Sequence, residues 1–258
     1  MNENTTTGLP SSVELAWGFR EQPKKGPKRA LTLAGVVEAG AAVADSEGLG
    51  SVSMNRVAGE LGVSTMSLYR YVSAKEELVT LMADAVSGPA PAPVEDENWR
   101  AGLVRWGMEY VAVARRHPWI AEVPVSGPPV TPNSVKWMEA GLRCLRAAGL
   151  GPGEQMAALL LISQYVRSQA LLESQLAAAM SASGDTDETL LPRYSRQLAM
   201  LTGRQEFPAL HEVLDAGVFD GTDEDQDVDF RFGLERILDG IEVYLGRTPD
   251  VPDAASGP

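Results

Sequence analysis

Thr65, Met66, Ser67 and Tyr69 share one short segment, and around them Val57, Ala58, Leu61, Gly62, Val63 and Leu68 follow the spacing of two helices joined by a tight turn. Ala58 is small enough for the helices to cross closely, Gly62 frees the backbone at the corner, and Val57, Leu61, Val63 and Leu68 turn inward. The first four side chains are left facing outward, where they can enter a DNA major groove. The same spacing also fits a plain three-helix packing with no ligand. A second constellation lies downstream. Trp106, Tyr110, Trp119, Trp137, Met138 and Tyr165 are spread over four helical segments, and Gln164, Arg167 and Gln169 interrupt an apolar run. Apolar walls with few polar anchors are how small-molecule sites are built, so Trp106, Tyr110, Trp137, Gln164, Tyr165 and Arg167 are candidate effector-binding residues. The alternative is a packed core with Arg167 paired to Glu173 or to a partner subunit.

Enzyme chemistry has less to stand on. His117 precedes a proline at a helix end and His211 falls in a short helix, and neither has a nucleophile or a paired carboxylate at a recognisable spacing. Gly149-Leu150-Gly151-Pro152-Gly153 follows a helix instead of a strand, so it is no phosphate loop. Cys144 shares an apolar face with Met138, Leu142 and Leu145 and reads as core; as the single cysteine it makes no internal disulfide. No catalytic residue, metal site or cofactor is expected.

The 258 residues are 44% hydrophobic and 22% charged, an ordinary globular mixture that excludes collagen-like and wholly disordered classes. The net charge of −13 is unevenly placed: residues 24 to 87 carry seven basic and seven acidic side chains, whereas residues 88 to 258 carry a net −11. The middle segment therefore faces phosphates at least cost, and Lys24, Lys25, Lys28 and Arg29 give it a basic arm. A solvated linker is the other reading of that arm. No run of about 20 apolar residues is available to span a bilayer, and the acidic start Met1-Asn2-Glu3 does not suit a signal peptide. A cytoplasmic location with no membrane partner is expected.

The elements that must position these groups are all helical. A helix follows Leu31 and closes at Gly48 and Gly50; Ser53 opens the first short helix, Ser64 the second, and Ser73 with Glu76 reads as a capping box for a fourth. Three alternating prolines between Ser87 and Pro93 break the chain. Beyond them the pattern predicts helices over Trp99 to Arg116, Asn133 to Ala148, Glu154 to about Ser181, around Tyr194 to Leu201, and Val228 to Leu245. The expected organisation is a flexible leader with the basic arm over 1–30, a helix-turn-helix DNA-binding domain over 31–87, a helical effector-binding and dimerisation domain over 94–247, and a disordered tail over 248–258. The fold class is all-α.

The segment Leu49 to Leu78, with Val57-Ala58, Leu61-Gly62-Val63, Leu68-Tyr69-Arg70-Tyr71 and Lys75-Glu76-Glu77-Leu78, resembles the N-terminal domain of tetracycline-repressor (TetR) family transcription regulators. Arg116-His117-Pro118-Trp119, Phe207-Pro208-Ala209-Leu210 and the stretch Phe232 to Ile241 are similar to the larger domain of the tetracycline-repressor-like branch. Trp17-Gly18-Phe19-Arg20 resembles an extension of actinobacterial members. The resemblance implies a homodimer on a palindromic DNA operator, acting as a repressor and released by a small-molecule effector. It places Thr65, Met66 and Ser67 at base edges and Tyr69, Tyr71 and Lys75 at phosphates, with Ser53, Asn55 and Arg56 beside them. Asn55 departs from the arginine of the best-known members, so the operator preference does not carry over. For Arg56, an ion pair with Glu60 stands beside a phosphate contact. In the family the last helix and the long helix pair across a two-fold axis, which makes the stripe Phe230, Leu234, Ile237, Leu238, Ile241 and Leu245 a candidate interface. An enzyme carrying a helix-turn-helix module and a ligand-independent architectural DNA binder are the alternatives.

Overall fold

A computed structural model describes residues 8–19, 31–125, 127–184, 186–219 and 227–247. The basic arm Lys24, Lys25, Lys28 and Arg29 and the tail 248–258 lie outside them. Eleven α-helices are found among the described residues, with no strand: α1 (Ser11–Ala16), α2 (Leu33–Glu47), α3 (Met54–Leu61), α4 (Thr65–Leu68), α5 (Lys75–Ser87), α6 (Trp99–Arg116), α7 (Pro132–Ala147), α8 (Pro152–Ser183), α9 (Asp187–Leu201), α10 (Pro208–Asp215) and α11 (Val228–Arg247). Two 3-10 segments, Leu49–Ser51 and Pro118–Glu122, join them.

Local chemistry sets most of these boundaries. Thr32, Ser53 and Asn98 each accept a backbone N–H three residues on, capping α2, α3 and α6. Pro132, Pro152 and Pro208 start α7, α8 and α10 at a position where no backbone donor is needed. The cap of α5 differs from expectation. Ser73 donates through both its backbone N–H and its hydroxyl to Glu77, and Glu76 is left outside this arrangement.

The leader is not wholly a flexible segment. Its α1 is docked, with Ser12 and Val13 buried, the Ser12 hydroxyl bonded to Glu77 and the Trp17 indole donating to the Val130 carbonyl at 2.7 Å. Trp17 stacks on Phe19 with ring centroids 6.0 Å apart.

Two hydrophobic clusters form the interior. One unites α2 to α5 and continues into Val113, Trp119, Ile120, Ala121 and Ala170, so the DNA-binding core crosses the boundary drawn at the proline linker. The other joins α6, α7, α8 and α11. Phe230, Leu234, Leu238 and Ile241 belong to this second core, which corrects their reading as an interface stripe. The outer face of α11 carries Phe232, Val243 and Tyr244, and α8 exposes Leu161, Leu172 and Leu176.

Candidate nucleic-acid interface and effector cavity

The turn between α3 and α4 is built as its residue types require. Gly62 adopts φ +64°, a left-handed conformation costly for side-chain-bearing residues, and the Val63 N–H donates back to the Ala58 carbonyl at 3.0 Å. Val57, Ala58 and Leu68 are buried, and Leu61 and Val63 pack partly buried against them. Met66 is 72% exposed and Tyr69 is 49% exposed on the opposite side, with Thr65 and Ser67 half-buried between them. The Ser67 hydroxyl lies 3.0 Å from that of Ser64.

Tyr71 is not part of this outer face. Its ring is buried in the first core and its hydroxyl donates to the Leu31 carbonyl at 2.6 Å, which corrects its assignment to phosphate. Lys75 begins α5 half-buried, while Asn55 is exposed on α3 and Ser53 spends its hydroxyl on the helix cap. Arg56 meets Glu60 at 2.8 Å, and also Glu47 at 2.7 Å on the preceding helix. Hydrogen bonds from Arg56 hold the Glu47 carboxyl below the usual carboxylate range. An Arg56 contact with phosphate therefore competes with two carboxylates already held by the same guanidinium.

The six candidate lining residues converge as expected, with one exception, whereas Trp119, also expected to converge, is buried in the first core. Trp106, Tyr110, Trp137, Gln164 and Arg167 line a cavity of about 320 Å³, together with Met138, Met156, Leu159 and Leu160. The Trp106 indole donates to the Trp137 carbonyl at 2.9 Å and the Trp137 indole to the Gly88 carbonyl at 3.2 Å, so both rings are fixed and their polar edges satisfied. Trp137 meets Trp106 and Tyr110 edge-on, at 5.7 and 6.2 Å between centroids. Burial pushes the Tyr110 phenol up, against a smaller opposing pull from Arg167, so the phenol stays a neutral donor at pH 7.

Tyr165 is the exception. It stacks on Phe230 at 5.7 Å, and its hydroxyl donates to the Phe230 carbonyl at 3.0 Å, away from the cavity. Gly233 makes room for it, since a Cβ there would collide with the Tyr165 ring. Arg167 is paired with neither Glu173 nor another carboxylate among the described residues. Its Nη2 donates to the carbonyls of Ala121, at 3.2 Å, and Val123, and Glu173 instead binds Arg115.

Sequence reasoning missed the second chamber. A cavity of about 680 Å³ adjoins the first, sharing Ser87, Tyr110, Ser134 and Arg167, and reaches Pro10 just before α1, Val13 of α1 and Thr80 and Asp84 of α5. Asp84 also accepts the N–H groups of Asn133 (2.9 Å) and Ser134 (2.8 Å) at the start of α7, tying the two domains. His211 is structural, its Nε2 lying 3.0 Å from the Thr202 carbonyl. Among the described residues no group of three metal-ligating side chains is assembled, and no helix is long and apolar enough to cross a membrane.

A two-helix reading head with an outward polar face, joined to a helical chamber with aromatic walls, defines a DNA-binding transcriptional regulator. The sequence model for bacterial regulatory proteins of the tetR family matches residues 36–82, and that for the tetracyclin repressor-like C-terminal domain matches residues 90–245. The HTH-type transcriptional repressor DrrR1 of Streptomyces coeruleorubidus is 40% identical over 245 residues, covering 92% of this chain and 86% of that one. The Streptomyces coelicolor TetR family protein ActR, solved in complex with actinorhodin, superposes with a TM-score of 0.72 at 26% identity, over 86% of this chain and 99% of that chain. BioQ, solved with its double-stranded DNA operator, shares the fold at 21% identity and a TM-score of 0.58, over 83% of this chain and 99% of that one. The chain belongs to the TetR family of transcriptional regulators.

Proposed function

We propose that the protein is a cytoplasmic, non-enzymatic homodimeric repressor that binds a palindromic operator and leaves it when a small aromatic molecule fills the Trp106–Trp137 chamber. The observation that carries this reading is the pairing of an exposed recognition face with a walled cavity on one chain. Thr65, Met66 and Ser67 meet base edges, Tyr69 and Lys75 hold phosphates, and the basic arm Lys24, Lys25, Lys28 and Arg29 follows the duplex beyond. The exposed apolar faces of α8 and α11 support self-association as a shared helical bundle, which sets the spacing of two heads. ActR, solved in complex with actinorhodin, supports a small-molecule occupant for the chamber.

The test is selection of bound sequences from random duplex DNA, followed by affinity measurements on the winner. An inverted repeat should emerge. Thr65→Ala should alter the preferred bases, whereas Lys75→Ala should weaken all sequences about equally and lower the salt slope by about one unit. Equal losses on selected and random DNA for both variants would defeat the assignment.

A further inference from the structure

Arg167 stands where the chamber meets the segment that holds the DNA-binding domain. Pro118–Glu122 is a single short 3-10 segment, and each of its ends is fastened to a different place. At its start, the Trp119 indole donates to Asp45 Oδ1 at 2.6 Å, and His117 Nδ1 lies 2.8 Å from the same oxygen. Asp45 belongs to α2, which packs directly on α3 and so carries the reading head. At its end, the carbonyls of Ala121 and Val123 are held by Arg167 Nη2, from α8 across the chamber. Trp119, Ile120 and Ala121 are buried in the DNA-binding core itself.

We propose that Arg167 is the trigger of operator release, and that the effector is an aromatic compound bearing a carboxylate. The inference rests on the reading of the Trp106–Trp137 chamber as the effector site. Nη2 of a guanidinium has two hydrogens, and both are spent here on the two carbonyls. Each of the two forks by which arginine grips a carboxylate includes one hydrogen of Nη2, so a bidentate effector must take a hydrogen from Ala121 or Val123. The exchange favours the effector, because an anionic acceptor adds to the hydrogen bond an ion-pair attraction that a neutral carbonyl lacks. The released carbonyl must then find another partner, which moves the end of the 3-10 segment. Because that segment is one packed piece, its displacement is felt at Trp119 and Asp45, and through them at α2. A neutral occupant of the same chamber has no claim on the fork and leaves the segment in place.

The probes are anthracene-2-carboxylate and 2-anthracenemethanol, used with the full chain and the operator obtained by selection. The carboxylate should weaken operator binding by about tenfold or more, within the usual range of allosteric coupling, and speed amide exchange over residues 118–123 and around Asp45. The alcohol should bind and do neither. Arg167→Met should show the fast exchange without any probe, hold the operator at least about threefold more weakly, and give no further response to the carboxylate. Trp119→Phe, which removes only the donor, should bind the carboxylate and transmit at least about threefold less of its effect to the operator. Should that variant lose its fold, Asp45→Ala at an exposed position removes the same contact.

The trigger is overturned if carboxylate releases the operator equally well from Arg167→Met, or if exchange over 118–123 stays constant when it binds. Release by both probes alike would also overturn it. If neither probe enters the chamber, the effector-site reading itself fails and the trigger with it. A merely structural Arg167 would lower the melting temperature while leaving carboxylate-driven release intact in the folded fraction.

Discussion

The reading head and the effector domain are both built from helices with closely packed cores, yet the effector domain also walls off a chamber with aromatic side chains. In the head, Val36, Val57, Leu68, Leu78 and Met82 are fully buried, and even glycine is used as filler: a Cβ on Gly40 would lie 2.7 Å from Met82 Sδ. In the effector domain, Met156 and Leu160 are about half exposed at the rim of an open chamber, and the tryptophans that wall it are buried in the second core with their indoles fixed by carbonyls. Close packing serves the part that must present the same face to DNA every time. Vacancy serves the part that must admit a guest, and its cost is lost dispersion contact along the walls.

Adding volume to each region separates them most strongly. Ala58→Leu should cost about 1–3 kcal/mol by overpacking the helix crossing and abolish operator binding. Met138→Phe, whose extra volume enters the chamber, should shift stability by less than about 0.5 kcal/mol. Thermal melts and operator titrations of the pair decide the matter, and a comparable loss in both would erase the contrast. The next largest effect concerns the outer faces. Phe232→Glu combined with Val243→Glu should yield a folded monomer in sedimentation, with operator affinity down at least about tenfold. Leu238→Glu should instead unfold the effector domain, because this position is wholly inside.

The smallest effect lies where the two regions meet, at α1. Burial pushes the Glu77 carboxyl up, but the hydrogen bonds from Ser12 and Ser73 outweigh it and hold the group below its ordinary value. A carboxylate depressed in the folded state adds stability above its unfolded pKa of about 4.3, and that stability is lost as pH falls through the lower folded value. Ser12→Ala should therefore cost about 0.5–1.5 kcal/mol at pH 7, and the gap to the parent protein should close below about pH 4. A gap that persists in acid would assign the docking of α1 to Val13 packing instead.

The sequence by itself determined the helices beyond the leader, the turn and the family. Ser53, Gly62, the helix-starting prolines and the spacing of Val57, Ala58 and Leu68 all act within about a dozen neighbouring residues, so they read correctly without any distant partner. The outward set Met66 and Tyr69 followed from the same periodicity, and five of the six chamber residues were found from their types and helical placement. What only the tertiary structure decided was the side from which the rest of the chain would arrive. Tyr71 turns inward because Leu31, 40 positions earlier, offers a carbonyl. Tyr165 turns toward Phe230, 65 positions later, and Leu238 and Ile241 turn inward because α6 and α8 lie against them. Glu77, and not Glu76, is the partner of Ser73, and it also accepts from Ser12 of α1, which docks there from a leader expected to be flexible. Arg167 finds backbone carbonyls 46 and 44 residues away, and Glu173 is drawn off by Arg115. Periodicity fixes which side chains share a face. Which face is buried is decided by free energies summed over neighbours that the chain brings in from far along its length.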